Sequence, residues 1–532
     1  MFRFDDDARA KMLNGVNTIA DAVCKTLGPQ GKLVLLEKNG DVRSTKDGIT
    51  VAKNSLPLSD PFENMAAKLI VEGSQKVLES CGDGTSTVSL LIRKIVSDGL
   101  RLVAAGYSSV DIKRGLEWAT EKVVEELKAI AKPVTSKQEI ENVAVVSSNG
   151  DLFVGKLLAD AMEKIGNSGV ITLSEGKTTK TESEIVSGFH IEDRGYLSPH
   201  FANNEKQESV LKDPLVLICE KAISNVNIIL PVLKKCHETY PGRPLFICAE
   251  SVDNEALATL LVNHLKGAFF STAIKCPGFG NRRAEILSDM AVVTGATVVE
   301  ESIGIKLENF DVSWLGSAKQ IIVTKGSTTI VNGAGVAEEI EKRAVLIRNL
   351  IKECDNEHDR AAQEKRLAKL IGGVCCILVG GHTESEMLEL KDRIEDSLAA
   401  VRASIEDGIV PGGGISLLRS AAVLDRADVP EALRAGCKII RDALEEPLRV
   451  IVSNGGIDPT MVRLKVLESD NLNFGYNART GTFEDLMVSG VIDPTKVVRS
   501  TLEGAVSIAG LILTTECLVC NEPPKDPQSN NM

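Results

Sequence analysis

The sequence predicts a multi-domain protein, a helical unit assembled from both chain ends with an α/β unit inserted between them. Three observations predict it. A chain of 532 residues is too long for one ordinary core and favours about three domains. Apolar residues recur at helical spacing up to about residue 129 and again after about residue 375. Between about 188 and 374, short strand-like runs alternate with helical stretches, which is the pattern of an α/β unit.

The first long periodic segment, Ala8 to Leu27, sets Met12, Val16, Ile19, Ala20 and Val23 on one helical face. Asp5 to Asp7 suit the positive end of its dipole, and Gly28-Pro29 stops it. A second helix is expected from Asp60-Pro61, a cap residue followed by proline at the first helical position, and runs to Cys81. A third leaves Thr85 through Val88, Leu91 and Ile95. In the middle of the chain, Pro214 to Cys219, Pro244 to Cys248 and Phe269 to Lys275 read as strands. From Glu384 to Asp407, Met387, Leu390, Ile394, Leu398, Val401 and Ile405 line one face of a helix about 36 Å long. Gly408 and Pro411-Gly412-Gly413-Gly414 close it. The two segments that lead into and out of the α/β unit are expected to form a connector.

Composition excludes several functions. Hydrophobic residues at 43% and charged residues at 25% belong to a globular chain, not a disordered one. A formal net charge of −13 argues against nucleic acid and against an anionic membrane as partners, because both select basic patches. No apolar run reaches the roughly 18 residues of a spanning helix. Met1 to Asp7 lack the basic start of a signal peptide and are acidic where a transit peptide is not. A cytoplasmic location is therefore expected, with an organelle matrix only if a presequence has been removed. The twelve cysteines follow no disulfide-like rhythm, so reduced thiols are expected. Cys517 and Cys520 have C-x-x-C spacing, but no second such pair exists and the six histidines are scattered. Buried strand cysteines are expected there, not a metal or redox half-site.

The sharpest chemical motif is Gly82-Asp83-Gly84-Thr85-Ser86-Thr87, directly ahead of the apolar run that starts at Val88. Backbone N–H groups at a glycine-rich helix start favour an anion, and three hydroxyls add donors. Asp83 could share Mg²⁺ with phosphate oxygens. No G-x-x-x-x-G-K-[ST] occurs, so this is not a P-loop. By itself the motif serves equally as an ordinary capped helix. Thr26-Leu27-Gly28-Pro29 offers a tight turn, Thr45-Lys46-Asp47-Gly48 a lysine and a carboxylate, and Gly412 to Gly414 a second close backbone approach.

In this order, these patterns resemble the nucleotide pocket of the group I chaperonins, the GroEL-like family. The resemblance spans residues 5–523 with short gaps and includes the strings Asp193 to Pro199, Pro277 to Gly280 and Ile492 to Val497. Group II chaperonins share the plan but not these strings. The resemblance implies an all-α equatorial ATPase domain (1–129 and 407–532), a small α/β intermediate domain (130–187 and 375–406) and an inserted α/β apical domain (188–374). It implies ATP, Mg²⁺ and K⁺. Thr26, Leu27, Gly28 and Pro29 would contact nucleotide, with backbone oxygens of Thr26 and Lys46 serving K⁺. Asp83 would bind Mg²⁺, and Gly84, Thr85, Ser86 and Thr87 the phosphates. Gly413 would lie by the ribose, Asn477, Ala478, Val491 and Asp493 would hold base and sugar, and Asp47 and Asp396 would polarise the attacking water. Family position alone separates Asp396 from its neighbours Asp392 and Glu395, which read as a solvated acidic face.

The segments Asn225 to Leu233 and Asn254 to Leu265 are apolar almost all round, more than a helix lying on a sheet requires. The surplus is either buried by further layers or exposed for binding. The residues alone favour burial. The resemblance instead implies a groove for non-native client chains and a GroES-like co-chaperonin, at Tyr196, Ser198, Phe201, Leu230, Leu233, Leu257, Leu261 and Val262. It further implies self-assembly into rings, sevenfold and stacked in pairs. A client-binding scaffold without effective turnover is the alternative. The sequence departs from the family at His200, where tyrosine is usual, at Arg479, where a small residue is common near the base, and at the end, Pro523 to Met532, which lacks Gly-Gly-Met repeats.

Overall fold

Asp5 to Asp7 occupy the first turn of a helix that runs Asp5–Cys24, where their charge meets the unsatisfied N–H groups. In this computed structural model, the described residues are 1–38, 41–148, 150–165, 170–176, 178–186, 188–192, 194–204, 206–278, 280–300, 304–353, 356–371 and 374–520. Asp193, Phe279 and the segment from Pro523 to Met532 lie outside them. The chain forms two compact units, one of residues 1–160 and 388–532, the other of residues 161–387. The segments expected as an intermediate domain are divided between these two units.

The first unit is built on long helices. Asp60 caps Pro61–Cys81 by accepting from Phe62 and Glu63 N–H groups, as the Asp-Pro signal requires. Thr85–Ala104, Ser109–Ile130 and Thr495–Leu513 join it around one core, in which Val16, Ile70, Leu91, Ile95, Leu116, Leu502 and Ala509 are sealed from solvent. Phe2–Phe4 pairs antiparallel with Cys517–Val519 at the edge of this core, to which the pair contributes Leu518. There the expected burial of the C-x-x-C thiols is corrected. Cys517 is exposed and Cys520 half-buried, because strand alternation turns Leu518 inward instead. The hairpin of Val34–Lys38 with Asp41–Thr45 interrupts what read as an all-helical opening region.

The second unit carries an eight-stranded sheet. Leu245–Ala249 lies parallel between Leu215–Cys219 and Ser271–Lys275, at the three expected places; the first two of these three strands along the chain are fully apolar, as strands covered on both faces should be. Val226–Thr239 and Asn254–Leu265 cover one apolar layer. Asn281–Thr294, Ala337–Glu353 and Glu357–Ile371 cover the other. The two connecting segments meet in a three-stranded sheet, where Val374–Val379 runs parallel to Val170–Glu175 and antiparallel to Glu182–Val186. No described helix is long and apolar enough to cross a membrane, and the described cysteines are all free.

Candidate functional site

The site lies within the first unit and starts from two glycines with left-handed backbone, Gly82 (φ 74°) and Gly84 (φ 92°), on either side of Asp83. A Cβ on Gly82 would stand 2.2 Å from Ala399 Cβ and 2.8 Å from the Asp396 carbonyl oxygen, so only glycine lets the helix Glu384–Asp407 lie against this turn. A Cβ on Gly48 would stand 2.2 Å from Ser86 Oγ, which seats the Asp47 loop on the start of Thr85–Ala104. That helix has no side-chain cap, so its first N–H groups face outward as donors for an anion. Asp47 caps its own short helix, Gly48–Asn54, by accepting from Thr50 N–H through Oδ2 at 2.9 Å.

Four carboxylates converge here, and the electrostatics record it. Burial pushes Asp396 up to about 8, with further push from Asp47, Asp83, Glu395 and Asp392. Burial likewise raises Asp493 to about 7, with Asp83 adding to it. Asp83 is raised by burial and by Asp47, against the Gly84 N–H that donates to its Oδ1 at 2.6 Å and the nearby Ser147 hydroxyl. Ser147 Oγ is itself buried without a partner in full hydrogen-bond geometry among the described residues. No described lysine or arginine pairs with Asp47, Asp83, Asp396 or Asp493. Such a set of hard oxygens suits a divalent cation. No described group of three or more His, Cys, Asp or Glu could hold one unaided. Mg²⁺ fits that donor set, since it is commonly held by one or two carboxylates together with phosphate oxygens.

The other wall comes from distant segments. Gly412 N–H donates to Val491 O at 2.9 Å, and Ile409–Pro411 pairs with Ile492–Pro494, which puts Asp493 Oδ1 3.0 Å from a Cβ position on Gly412. Gly413, at φ 66°, faces the Tyr476 carbonyl. The turn from Thr26 to Pro29 is pinned by Asn454, whose amide donates to Cys24 O and Leu27 O at 2.9 Å each. Lys46 Nζ donates to Pro29 O at 3.3 Å, and the Gln30 amide donates to Ala478 O at 3.5 Å. Asn477 donates to Glu484 at 2.7 Å. The residues expected around a nucleotide are thereby drawn into one linked set. Ser147, Gln30 and Asn454 were not legible beforehand; a serine ending a helix and an asparagine before Gly455-Gly456 are common and signal nothing by themselves.

In the second unit, the helices Val226–Thr239 and Asn254–Leu265 leave part of their apolar surplus outside. Leu230 is 51% exposed, Val262 49% and Leu265 64%, with Phe270 beside them in sequence also exposed. Leu257, Leu261 and Tyr196 are half-buried. Two expected contact residues are corrected. Phe201 is 0% exposed, edge-on to the His264 imidazole at 5.6 Å, and Leu233 is buried in the same layer, so both support the surface from beneath. Ser198 accepts from His200 N–H at 3.4 Å and caps the turn Pro199–Phe201. Leu265 and Phe270 were missed because exposure depends on what packs above a residue, which periodicity does not report.

The first unit thus gathers carboxylates beside an uncapped helix start, and the second leaves an apolar face exposed. The chain belongs to the TCP-1/cpn60 chaperonin family, whose profile matches residues 19–523. Among solved structures it is similar to the chaperonin gp146 from the bacteriophage EL 2 (Pseudomonas aeruginosa), crystallised in the presence of ATP-BeFx. One crystal form shares 24% identity at a TM-score of 0.66, covering 98% of this chain and 100% of that one. A second shares 23% at 0.61, covering 98% and 99%. At this identity the likeness shows the fold, the GroEL-like multi-domain architecture.

Proposed function

We propose that this chain is an ATP-hydrolysing chaperonin subunit that forms rings, sevenfold and stacked in pairs, in the cytoplasm. It captures non-native polypeptide and encloses it under a GroES-like lid. The observation that carries this reading is the cluster of Asp47, Asp83, Asp396 and Asp493, without a basic partner among the described residues, beside an uncapped helix start. Half-buried carboxylates held together without a counter-charge are costly, and a metal–nucleotide complex relieves that cost. Gly84 to Thr87 would cradle the phosphates and Asp83 would hold Mg²⁺, which neutralises phosphate charge when bound. Backbone oxygens of Thr26 and Lys46 would serve K⁺. Asp396 and Asp47 would orient the attacking water, with Asp396 taking its proton. Client chains would meet Leu230, Leu257, Leu261 and Val262, with Tyr196 and Ser198 at the edge of the same surface.

The test is ATP turnover by the purified particle, imaged for ring state, with and without a co-chaperonin and an unfolded client. Rings that hydrolyse ATP and release client in folded form are expected. Client capture with no turnover would leave only the scaffold reading. A small oligomer with neither activity would refute both.

A further inference from the structure

On the reading that this site binds ATP, its two ends differ in a way that assigns the base. The phosphate end is the uncapped helix start with its carboxylates. The opposite wall offers Ala478 and Val491, half-buried against Ile415, Tyr476 and Leu486, an apolar seat for a purine. Arg479 follows immediately. Its N–H donates to Asn477 Oδ1 at 3.0 Å, and the preceding carbonyl accepts from Gln30, so the root of the side chain is fixed. Its guanidinium reaches the turn after the helix Lys137–Ser147, where Nη1 stands 3.2 Å from a Cβ position on Gly150. Gly150 has φ 90°, and any side chain there would push the guanidinium away. In a chain with an excess of acidic residues, this guanidinium makes no hydrogen bond or ion pair with any described residue. A planar cation is thus laid from the apolar end of the site to a turn three residues from Ser147, beside Asp83.

We propose that Arg479 is the base-covering residue of this chain's nucleotide site, its guanidinium stacking on the purine with the Gly150 turn behind it. A guanidinium plane suits a flat aromatic ring better than a lysine ammonium does. The same turn continues into Asp151, which pairs with Arg393 at 3.1 Å on the helix that carries Asp396, so occupancy of the base seat bears on the helix of the hydrolytic carboxylate. The ordinary alternative is a solvated surface arginine.

Calorimetric binding of ATP and of inorganic tripolyphosphate, each with Mg²⁺, to full-length wild type, Arg479→Ala and Arg479→Lys separates these cases. Arg479→Ala is expected to bind ATP about three- to tenfold more weakly, with tripolyphosphate affinity unchanged. Arg479→Lys should recover only part of the loss. Arg479 is exposed, so melting temperatures should match wild type and confirm folding. Wild-type ATP affinity in Arg479→Ala would make it a surface residue. Equal losses for ATP and tripolyphosphate, restored by lysine, would make it a phosphate-directed charge; either result overturns the proposal. Failure of the wild type to bind ATP would overturn the nucleotide reading instead.

Discussion

Each unit gathers acidic side chains, fully buried at Asp289 in the second and half-buried in the first, and the two solve the electrostatic problem in opposite ways. In the second unit Asp289 is 0% exposed, yet Arg343 donates to it at 2.7 Å and Arg366 donates to both its oxygens while also pairing with Glu285 at 2.7 Å. Those residues come from the three helices on one face of the sheet, so the network ties the helices together. In the first unit Asp47, Asp83, Asp396 and Asp493 crowd one another with no described arginine or lysine paired to them, and three of them resist ionisation. A buried carboxylate with its cation built in is structural. A cluster left without one keeps its carboxylates protonated more readily, and on the proposed function a cation from solution would supply the missing charge.

The largest effect should come from breaking the compensated cluster. Asp289→Ala leaves Arg343 without its anion and Arg366 with Glu285 alone, and removing one partner of a buried pair costs about 3–5 kcal/mol. Denaturant unfolding of the second unit should shift accordingly; a loss below about 1 kcal/mol would show that the arginines find solvent and the comparison is false. Asp396→Ala should do the reverse, folding normally and binding ATP while hydrolysis falls on the order of a hundredfold. Asp83→Ala should instead weaken binding of the metal–nucleotide complex. Wild-type turnover in Asp396→Ala would sink the catalytic assignment, and loss of ATP binding there would mark the residue as structural.

A pH titration sharpens the contrast further. The folded value of Asp396, about 8, lies above the ordinary carboxylate value, so over that window the folded chain keeps a proton that the unfolded chain has released. Its contribution to stability is full below the unfolded value and is lost as pH rises through about 8. Nucleotide-free Asp396→Asn should therefore melt a few degrees higher than wild type near pH 8, with the gap narrowing toward pH 5. An unchanged gap across that range would mean the cluster is already neutralised. The smallest effect is expected in the apolar face. Leu230 and Val262 are about half exposed, so Leu230→Ser with Val262→Ser should weaken capture of an unfolded client about tenfold. ATP turnover should be unaffected, as neither residue belongs to the nucleotide site. Unchanged capture would return both helices to an ordinary packing role.

The sequence by itself determined the elements whose signals are local. Asp60-Pro61 set the start of its helix, the stripe from Met387 to Ile405 set a helix whose observed ends are Glu384 and Asp407, and three short strand-like runs set the parallel strands. The Gly82-to-Thr87 motif marked a glycine turn and the helix start at Thr85 for the same reason, because glycine backbone acts over a few residues. Only the tertiary structure decided that Asp47, Asp83, Asp396 and Asp493, spread over more than four hundred residues, share one electrostatic environment. It alone buried Phe201 and Leu233 while leaving Leu265 and Phe270 outside. It alone laid Arg479 over Gly150. Charge coupling and burial depend on distance and on what covers a side chain, and both are set by segments far away along the chain.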